Sequence, residues 1–448
     1  MSAARGTDRS LLDVFLAQRH DPLGFLLRAA RESGDVVFFR LGSGGLLLLS
    51  DPELIQEVLV KRAREFHKAQ APQSKLMPWG RRILGSGLLI SEGETWLRQR
   101  RMMQPAFHRE RITAYEQVIR DRTAEMVAGW GGEARDMHEA LTALTLRVMA
   151  ETMFGVTARV ERIQDSLKGL FEDRSPRRLS FLFPEWVPTR ANRRTGSALR
   201  TIDELLFAEI AARRGRSDAD GGTDLLSMLL AARDESGTSM SDQFVRDEVM
   251  STLVAGHDTL SSTLTWLLWM VAQRPDIEQK LAVEISGASD RGRFGSRDLA
   301  EDSFVANVTK EALRLFPPGK SIVRTTIGKC EVAGRTLDEG TYIVMSQWVV
   351  HRDPRFFDDP ETFLPDRWAG GALTRRLPRF AYFPFGGGPR LCLGYAFAET
   401  MLRIVLAEVI GTVHLTLHPD DARSEWERAT LRPKRGVWMT ATPRSAVP

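Results

Sequence analysis

The chain has 448 residues, 43% hydrophobic and 27% charged, with a formal net charge of +4, the balance of a globular protein with a large buried core. Only two cysteines, Cys330 and Cys392, and no CxxC pair exclude a disulfide framework and a thiolate zinc site, and suit a reducing cytoplasm. The arginine clusters (Arg98 with Arg100 and Arg101, Arg177 with Arg178, Arg193 with Arg194, Arg213 with Arg214) carry no interleaved aromatics or recognition motif, which excludes nucleic acid as a partner.

The opening MSAARGTDRSLLDVF has no signal-peptide core. No window approaches the roughly 20 apolar residues of a bilayer span, so the expectation is a soluble, cytoplasmic chain without a membrane anchor. DVVFFRLGSGGLLLLS, residues 35–50, reads as a β-hairpin around a Gly/Ser turn. Helical periodicity then recurs near 52–65, 94–103, 110–130, 137–154, 198–214, 223–234, 241–273, 276–285, 303–315 and 395–413. A second β-rich patch covers 321–345, with turns at Ala333-Gly334 and Glu339-Gly340, and a third lies near 430–441. Residues 346–385 are rich in Pro, Asp, Phe and Arg with little periodicity, and irregular segments this long usually serve function. Without repeats or a break in composition, the chain reads as a single mostly-α unit, residues 1–448, with small sheets.

FPFGGGPRLCLG, residues 383–394, places Cys392 among glycines. Gly386, Gly387 and Gly388 open backbone conformations closed to other residues and let another surface approach. With a helix read from Leu393, Cys392 falls at a helix N-terminus, where the dipole and free amides favour a thiolate. Gly394 removes bulk where a flat ligand could lie, and Arg390 is placed to meet a carboxylate. A thiolate with amide donors and room for a flat group describes an axial ligand to haem iron. An isolated cysteine in such a turn would be an ordinary buried thiol.

The whole string Phe385-Gly386-x-Gly388-x-Arg390-x-Cys392-x-Gly394 resembles the haem-binding loop of the cytochrome P-450 family, the haem-thiolate monooxygenases. The resemblance implies Cys392 as the axial ligand to the iron of haem b, Phe385 beside its sulfur and Arg390 on a propionate. It recurs in KEALRLFPP, similar to the family's ExxR helix, where Glu311 and Arg314 share a helix face. In the family that pair locks to an arginine within a PERF segment. Here the segment reads Pro365-Asp366-Arg367-Trp368, so Arg367 takes the role although Asp and Trp replace Glu and Phe.

LVAGHDTLSSTLTW, from Leu253, resembles the central helix that crosses the distal haem face. By that resemblance Ala255, Gly256, Asp258 and Thr259 are the catalytic group. Gly256 would leave room for oxygen and weaken the helical ladder, Thr259 would hydrogen-bond dioxygen or a water, and Asp258 would relay protons. His257 falls at the motif's variable position and is not read as a ligand. Trp96 and Arg100, four apart in ETWLRQRR, match the family's WxxxR helix and, with Arg324, are expected at the propionates.

The resemblance implies the triangular, mostly helical P-450 fold, its β-rich corner built from 35–50 and 321–345. It also implies a monomeric oxidoreductase that inserts one oxygen atom from O2 into a lipophilic small molecule. The chain shows no flavin or iron–sulfur segment, so electrons would come from NAD(P)H through a ferredoxin and its reductase, or a flavodoxin-type donor. Arg98 and Arg101 are candidate docking cations. The substrate pocket would draw on Leu76, Met77, Trp79, Phe183, Leu253, Val254, Ile322, Val323 and Ala429, with 179–188 as a lid. Fatty acids, terpenoids and polyketides remain open as substrates. A peroxide-driven enzyme or isomerase of this fold, a haem sensor, and a plain structural thiol are the competing readings; Asp258-Thr259 argues against the first.

Overall fold

The computed structural model describes residues 8–9, 21–41, 44–68, 78–155, 162–163, 165–167, 187, 189–215, 224–233, 237–289, 301–421 and 431–444. In chain order the elements begin with β1 (Asp8–Arg9), α1 (Pro22–Ser33), β2 (Val36–Leu41), β3 (Gly44–Leu49), α2 (Pro52–Gln56), β4 (Phe66–Lys68) and α3 (Pro78–Leu84). Next come α4 (Gly93–Met103), α5 (Arg109–Ala128), β5 (Ala134–Asp136), α6 (Met137–Phe154), α7 (Arg190–Arg214), α8 (Leu225–Ala231), α9 (Asp242–Ala272) and α10 (Pro275–Ser289). The chain closes with α11 (Phe304–Leu315), β6 (Ile322–Thr326), β7 (Cys330–Val332), β8 (Arg335–Leu337), β9 (Tyr342–Met345), α12 (Gln347–Val350), α13 (Ala372–Arg376), α14 (Tyr395–Thr412), β10 (Val413–Leu417) and β11 (Trp438–Pro443). Two compact units result: one of Met1–Ala69, Thr123–Leu141 and Thr259–Pro448, the other of Gln70–Arg122 and Thr142–Asp258. Among the described residues no helix is long and apolar enough to cross a membrane.

In the first unit the two β patches join in one six-stranded sheet, ordered β1-β2-β3-β9-β6-β4. The hairpin pairs Val36 with Leu49 antiparallel, and β3 then runs parallel to β9, Leu47 opposite Ile343. The run Leu46 to Leu49 is apolar at successive positions because both faces are covered. Leu47, Leu49, Ile343 and Met345 pack on Ile55, Leu59, Phe380 and Phe383, while Leu48 and Val344 meet Phe25 and Ala29 of α1. Each such fully buried side chain stabilises by about 1.5–3 kcal/mol.

After α2, capped by the Asp51 carboxylate, the chain is wound more widely, the Arg62 amide reaching back to the Glu57 carbonyl at 2.9 Å. A smaller sheet, β10-β11-β5, pairs Val413 with Pro443 and Trp438 with Asp136. The last strand therefore begins later than the 430–441 patch, and α14 gives way to a strand at Val413.

In the second unit α7 starts at Arg190, eight residues before the apolar period that marks it in sequence. Thr189 caps it, its hydroxyl accepting from the Asn192 amide at 3.0 Å, and the polar first turns follow from that cap. The helix α9 is continuous from Asp242 to Ala272.

Candidate active site

Backbone demands shape the cysteine loop. Gly386 and Gly388 adopt φ of +76° and +69°. A Cβ at Gly388 would lie 2.0 Å from the Leu59 carbonyl oxygen, and one at Gly387 would lie 2.4 Å from the Phe380 ring, so only glycine fits. The Cys392 amide donates to the Phe385 carbonyl at 3.0 Å, folding the loop back on itself. The thiol of Cys392 is exposed. α14 begins at Tyr395 with Gly394 at its N-cap, two residues beyond Cys392 and later than the helix start read at Leu393, and no side chain caps its first amides.

Strand β6 lies against this loop, Ile322 Cδ1 being 3.2 Å from where a Gly386 Cβ would stand. Arg324 shares the face of Ile322 two residues along β6 and, like Arg390 and Phe385, is half-buried. The first unit thus offers a soft sulfur ligand, two guanidiniums and glycine backbone beside apolar Phe385 and Ile322. That is the donor set for an iron-bearing, flat, dianionic macrocycle, so these residues fit a haem. Val323, read as a pocket residue, lies on the other face of β6 and packs with Phe25 and Leu48.

Behind the loop lies a buried network that starts from α11. Arg314 and Glu311 have fully buried side chains. Glu311 accepts five hydrogen bonds: from Arg314 Nε (2.9 Å) and Nη2 (2.8 Å), the Leu364 amide (3.0 Å), Arg367 Nε (3.1 Å) and the Trp368 indole (2.9 Å). Arg314 spends its remaining donors on the carbonyls of His351, Pro360 and Thr362. The structure therefore brings Glu311, Arg314 and Arg367 together, and adds Trp368. The replacement of Phe by Trp in Pro365-Asp366-Arg367-Trp368 supplies a donor that phenylalanine lacks.

His351 links this network to the loop. Its Nδ1 lies 3.3 Å from the Arg314 carbonyl and its Nε2 accepts from the Phe383 amide at 3.0 Å, so the proton is on Nδ1. Burial, with the Arg314 and Arg352 guanidiniums adding to it, pushes its pKa down to about 3. Sequence reasoning missed His351; the signal was a histidine in HRDP within an otherwise aperiodic stretch.

In the second unit the α9 motif departs from expectation at Gly256. A Cβ there would lie 2.3 Å from Met149 Cε and 2.6 Å from its Sδ, so the bare glycine face receives a side chain of α6. The helix also runs unbroken through Gly256, without the expected weakening. Ala255, four residues before Thr259, is the residue that shares the threonine's face. His257 is buried, its Nδ1 2.8 Å from the Leu253 carbonyl. Asp258 and Thr259 are half-buried, and the Thr259 carbonyl accepts from the Thr263 hydroxyl at 2.8 Å.

On α4 the Arg100 guanidinium stands 6.0 Å from the Trp96 ring centroid, both side chains half-buried, while Arg98 and Arg101 are exposed. Of the pocket candidates, Leu253 is buried and Val254, Ile322 and Val323 are half-buried. Leu76, Met77, Phe183, Ala429 and the side chain of Trp79 lie outside the described residues, as does nearly all of 179–188.

Residues 11–439 match the family model for cytochrome P450. The chain is 34% identical over 440 residues to cyclooctatin synthase of Streptomyces melanosporofaciens, covering 97% of this chain and 92% of that one. It is 33% identical to cyclooctat-9-en-7-ol 5-monooxygenase of the same organism (89% and 86% covered) and 33% to pentalenene oxygenase of Streptomyces avermitilis (92% and 91% covered). The heme domain of cytochrome P450DA has the same fold, with a TM-score of 0.83 at 22% identity, over 95% of this chain and 93% of that one. The chain belongs to the cytochrome P450 family.

Proposed function

We propose that this monooxygenase binds haem b through the Cys392 thiolate and oxidises a lipophilic alicyclic alkene or alcohol with electrons from a separate carrier. The observation that carries the reading is the turn that holds Cys392, its amide donating a hydrogen bond to the Phe385 carbonyl, with Arg390 two residues before it and β6 against the same glycines. Bound haem with a thiolate ligand supplies the activation of dioxygen. The chain's part is to hold, orient and deliver protons.

Arg390 and Arg324 are cations suited to two propionates, which are costly to bury unpaired, and by the resemblance Trp96 and Arg100 would serve the same groups. Gly386 and Gly394 would keep side chains away from the macrocycle, and by the resemblance Phe385 would cover the sulfur. Adjacent Asp258 and Thr259 place a carboxylate beside a hydroxyl on α9, a pair able to hold and pass a proton, with the small Ala255 leaving space on the same face. Glu311, Arg314 and Arg367 support the loop from behind through His351.

The substrate class rests on relatives named for cyclooctat-9-en-7-ol and pentalenene. Electrons would pass from NAD(P)H through a ferredoxin and its reductase, docking at the exposed Arg98 and Arg101; the chain would act as a monomer in the cytoplasm. Titrating the purified protein with those two compounds tests the substrate reading. A Soret shift and oxygenated product with a ferredoxin donor support it, and no shift with either contradicts it. Unchanged ferredoxin-driven turnover in Arg98→Glu/Arg101→Glu would remove the docking assignment.

A further inference from the structure

In the second unit the turn between α3 and α4 is held from two sides. Asp247 of α9 accepts from the Ser86 amide (2.8 Å) and hydroxyl (3.1 Å), and Glu248 accepts from the Leu88 amide at 3.1 Å. From the other side Gln99 of α4 donates its Nε2 to the Ser86 carbonyl at 2.7 Å. The turn fits because it is Gly85-Ser86-Gly87: a Cβ at Gly85 would lie 2.1 Å from the Asp247 carboxylate, and one at Gly87 would lie 2.1 Å from the Ser251 hydroxyl.

The charges in this clasp do not balance if every carboxyl is ionised. The buried cation of the clasp among the described residues, Arg246, bonds Asp203 at 2.7 Å, Asp247 at 3.1 Å and the Ile83 carbonyl at 2.9 Å. Asp247 also takes the Gln243 amide at 2.9 Å, so its carboxylate is fully served. Glu248 is completely buried, and among the described residues it meets no cation and its Oε1 has no hydrogen-bond partner. Around the same turn Gln99 Oε1 and Ser251 Oγ are also buried without a partner among the described residues. The clasp is therefore short of donors. An unpaired carboxylate in such a place takes up a proton rather than stay charged. Burial pushes the Glu248 carboxyl up to about 8, the Asp247 charge adding to it and the Leu88 amide opposing.

We propose that Glu248 is a positioning residue that works as a neutral carboxylic acid, its proton supplying the donor the clasp lacks. With Asp247 and Gln99 it fixes the Ser86–Leu88 turn, and through Gln99 it fixes α4, where Trp96 and Arg100 lie on either side of that glutamine in sequence. The consequence for haem rests on the proposed role of Trp96 and Arg100; the protonation of Glu248 does not. Glu248→Gln keeps one acceptor for Leu88 and presents an N–H where the acid would present an O–H. Glu248→Ala removes both.

The test uses the full-length holoprotein in three forms: wild type, Glu248→Gln and Glu248→Ala. Infrared difference spectra between pH 7 and pH 9 should show a protonated-carboxyl C=O band that disappears with pH in wild type and is absent from Glu248→Gln. Amide exchange in the 85–92 segment, corrected for intrinsic rates, should quicken about tenfold in Glu248→Ala at pH 7 and in wild type at pH 9, and stay slow in Glu248→Gln at both, one hydrogen bond being the difference. Release of haem to a scavenging apoprotein should follow the same order.

An absent carboxyl band at pH 7, or Glu248→Gln behaving like Glu248→Ala, overturns the proposal. Faster exchange in Glu248→Ala with unchanged haem release overturns the coupling through Gln99 to Trp96 and Arg100 and supports the neutral acid in the clasp. If Glu248→Ala does not fold, the comparison of wild type with Glu248→Gln decides alone. A wild-type protein that binds no haem would defeat the proposed function and leave the infrared and exchange results readable.

Discussion

Glu311→Gln removes one charge from the centre of the buried network and keeps its shape. In the native protein the two carboxylate oxygens receive five donors, two of them from Arg314, whose side chain is likewise wholly buried. An amide at the same place turns one oxygen into a donor. If it replaces Oε2, it faces Arg314 Nε and the Trp368 indole; if it replaces Oε1, it faces Arg314 Nη2, Arg367 and the Leu364 amide. Either way at least two donors lose their acceptor and a buried guanidinium loses its counter-charge. Breaking such a pair costs about 3–5 kcal/mol, and each further orphaned donor adds about 1–3 kcal/mol. The sum approaches the whole stability of an ordinary domain, about 5–15 kcal/mol. Tryptophan fluorescence during urea titration should therefore show the Glu311→Gln midpoint far below wild type, or no folded protein in the soluble fraction. Trp368→Phe, which removes the indole donor and part of a buried ring, should cost at least about 1.5–3 kcal/mol. A Glu311→Gln midpoint indistinguishable from wild type would refute the reasoning, because it would mean the Arg314 charge is met elsewhere.

His351 gives the acid limb of stability a definite source. Its folded pKa of about 3 lies below the ordinary histidine value of 6.5, so between those values the unfolded chain binds more protons and stability falls as pH drops; nothing is lost above 6.5. Glu248, raised from 4.5 to about 8, acts in the opposite sense and removes stability as pH climbs through that range. The urea midpoint should flatten in acid for His351→Gln, and a slope equal to wild type would discount His351. Gly256→Ala should cost about 1–3 kcal/mol by crowding Met149, and Met149→Ala should restore much of it. Unaltered stability in Gly256→Ala would return that glycine to the oxygen-facing role first read for it. Gly388→Ala combines a φ of +69° with a backbone clash at Leu59, so holoprotein yield should collapse; a normal yield would show that the loop adapts.

Much of this arrangement was legible because its residue types are constrained locally. Phe385 to Gly394 is a string of glycines and one cysteine whose spacing has few other uses, and Glu311 and Arg314 announce a shared helix face. The hairpin at Val36–Leu49 and the patch holding β9 were visible from their β-rich runs, and the resemblance joined them in one corner, although the parallel register of β3 on β9 was not, since pairing across about three hundred residues leaves no local mark. The start of α7 was hidden because Arg190 to Arg194 carry no apolar period and the cap is one threonine. Short β5 lies between two long helices, and its three residues hold no alternation to read. His351 and Trp368 depend on neighbours brought from α11 and the cysteine loop, so only tertiary structure exposes their hydrogen bonds. Gly256 failed for a related reason: a glycine has no side chain to reveal which way it faces until Met149 is seen beside it.

The central claim is that Cys392 meets haem iron as a thiolate, and the reduced, carbon monoxide-bound difference spectrum of the purified protein addresses it most directly. The account predicts the strongly red-shifted Soret band of a thiolate-ligated haem in wild type and its loss in Cys392→Ala. A band of the histidine or neutral-thiol type in freshly reduced wild-type protein, or the same band in both proteins, would contradict it.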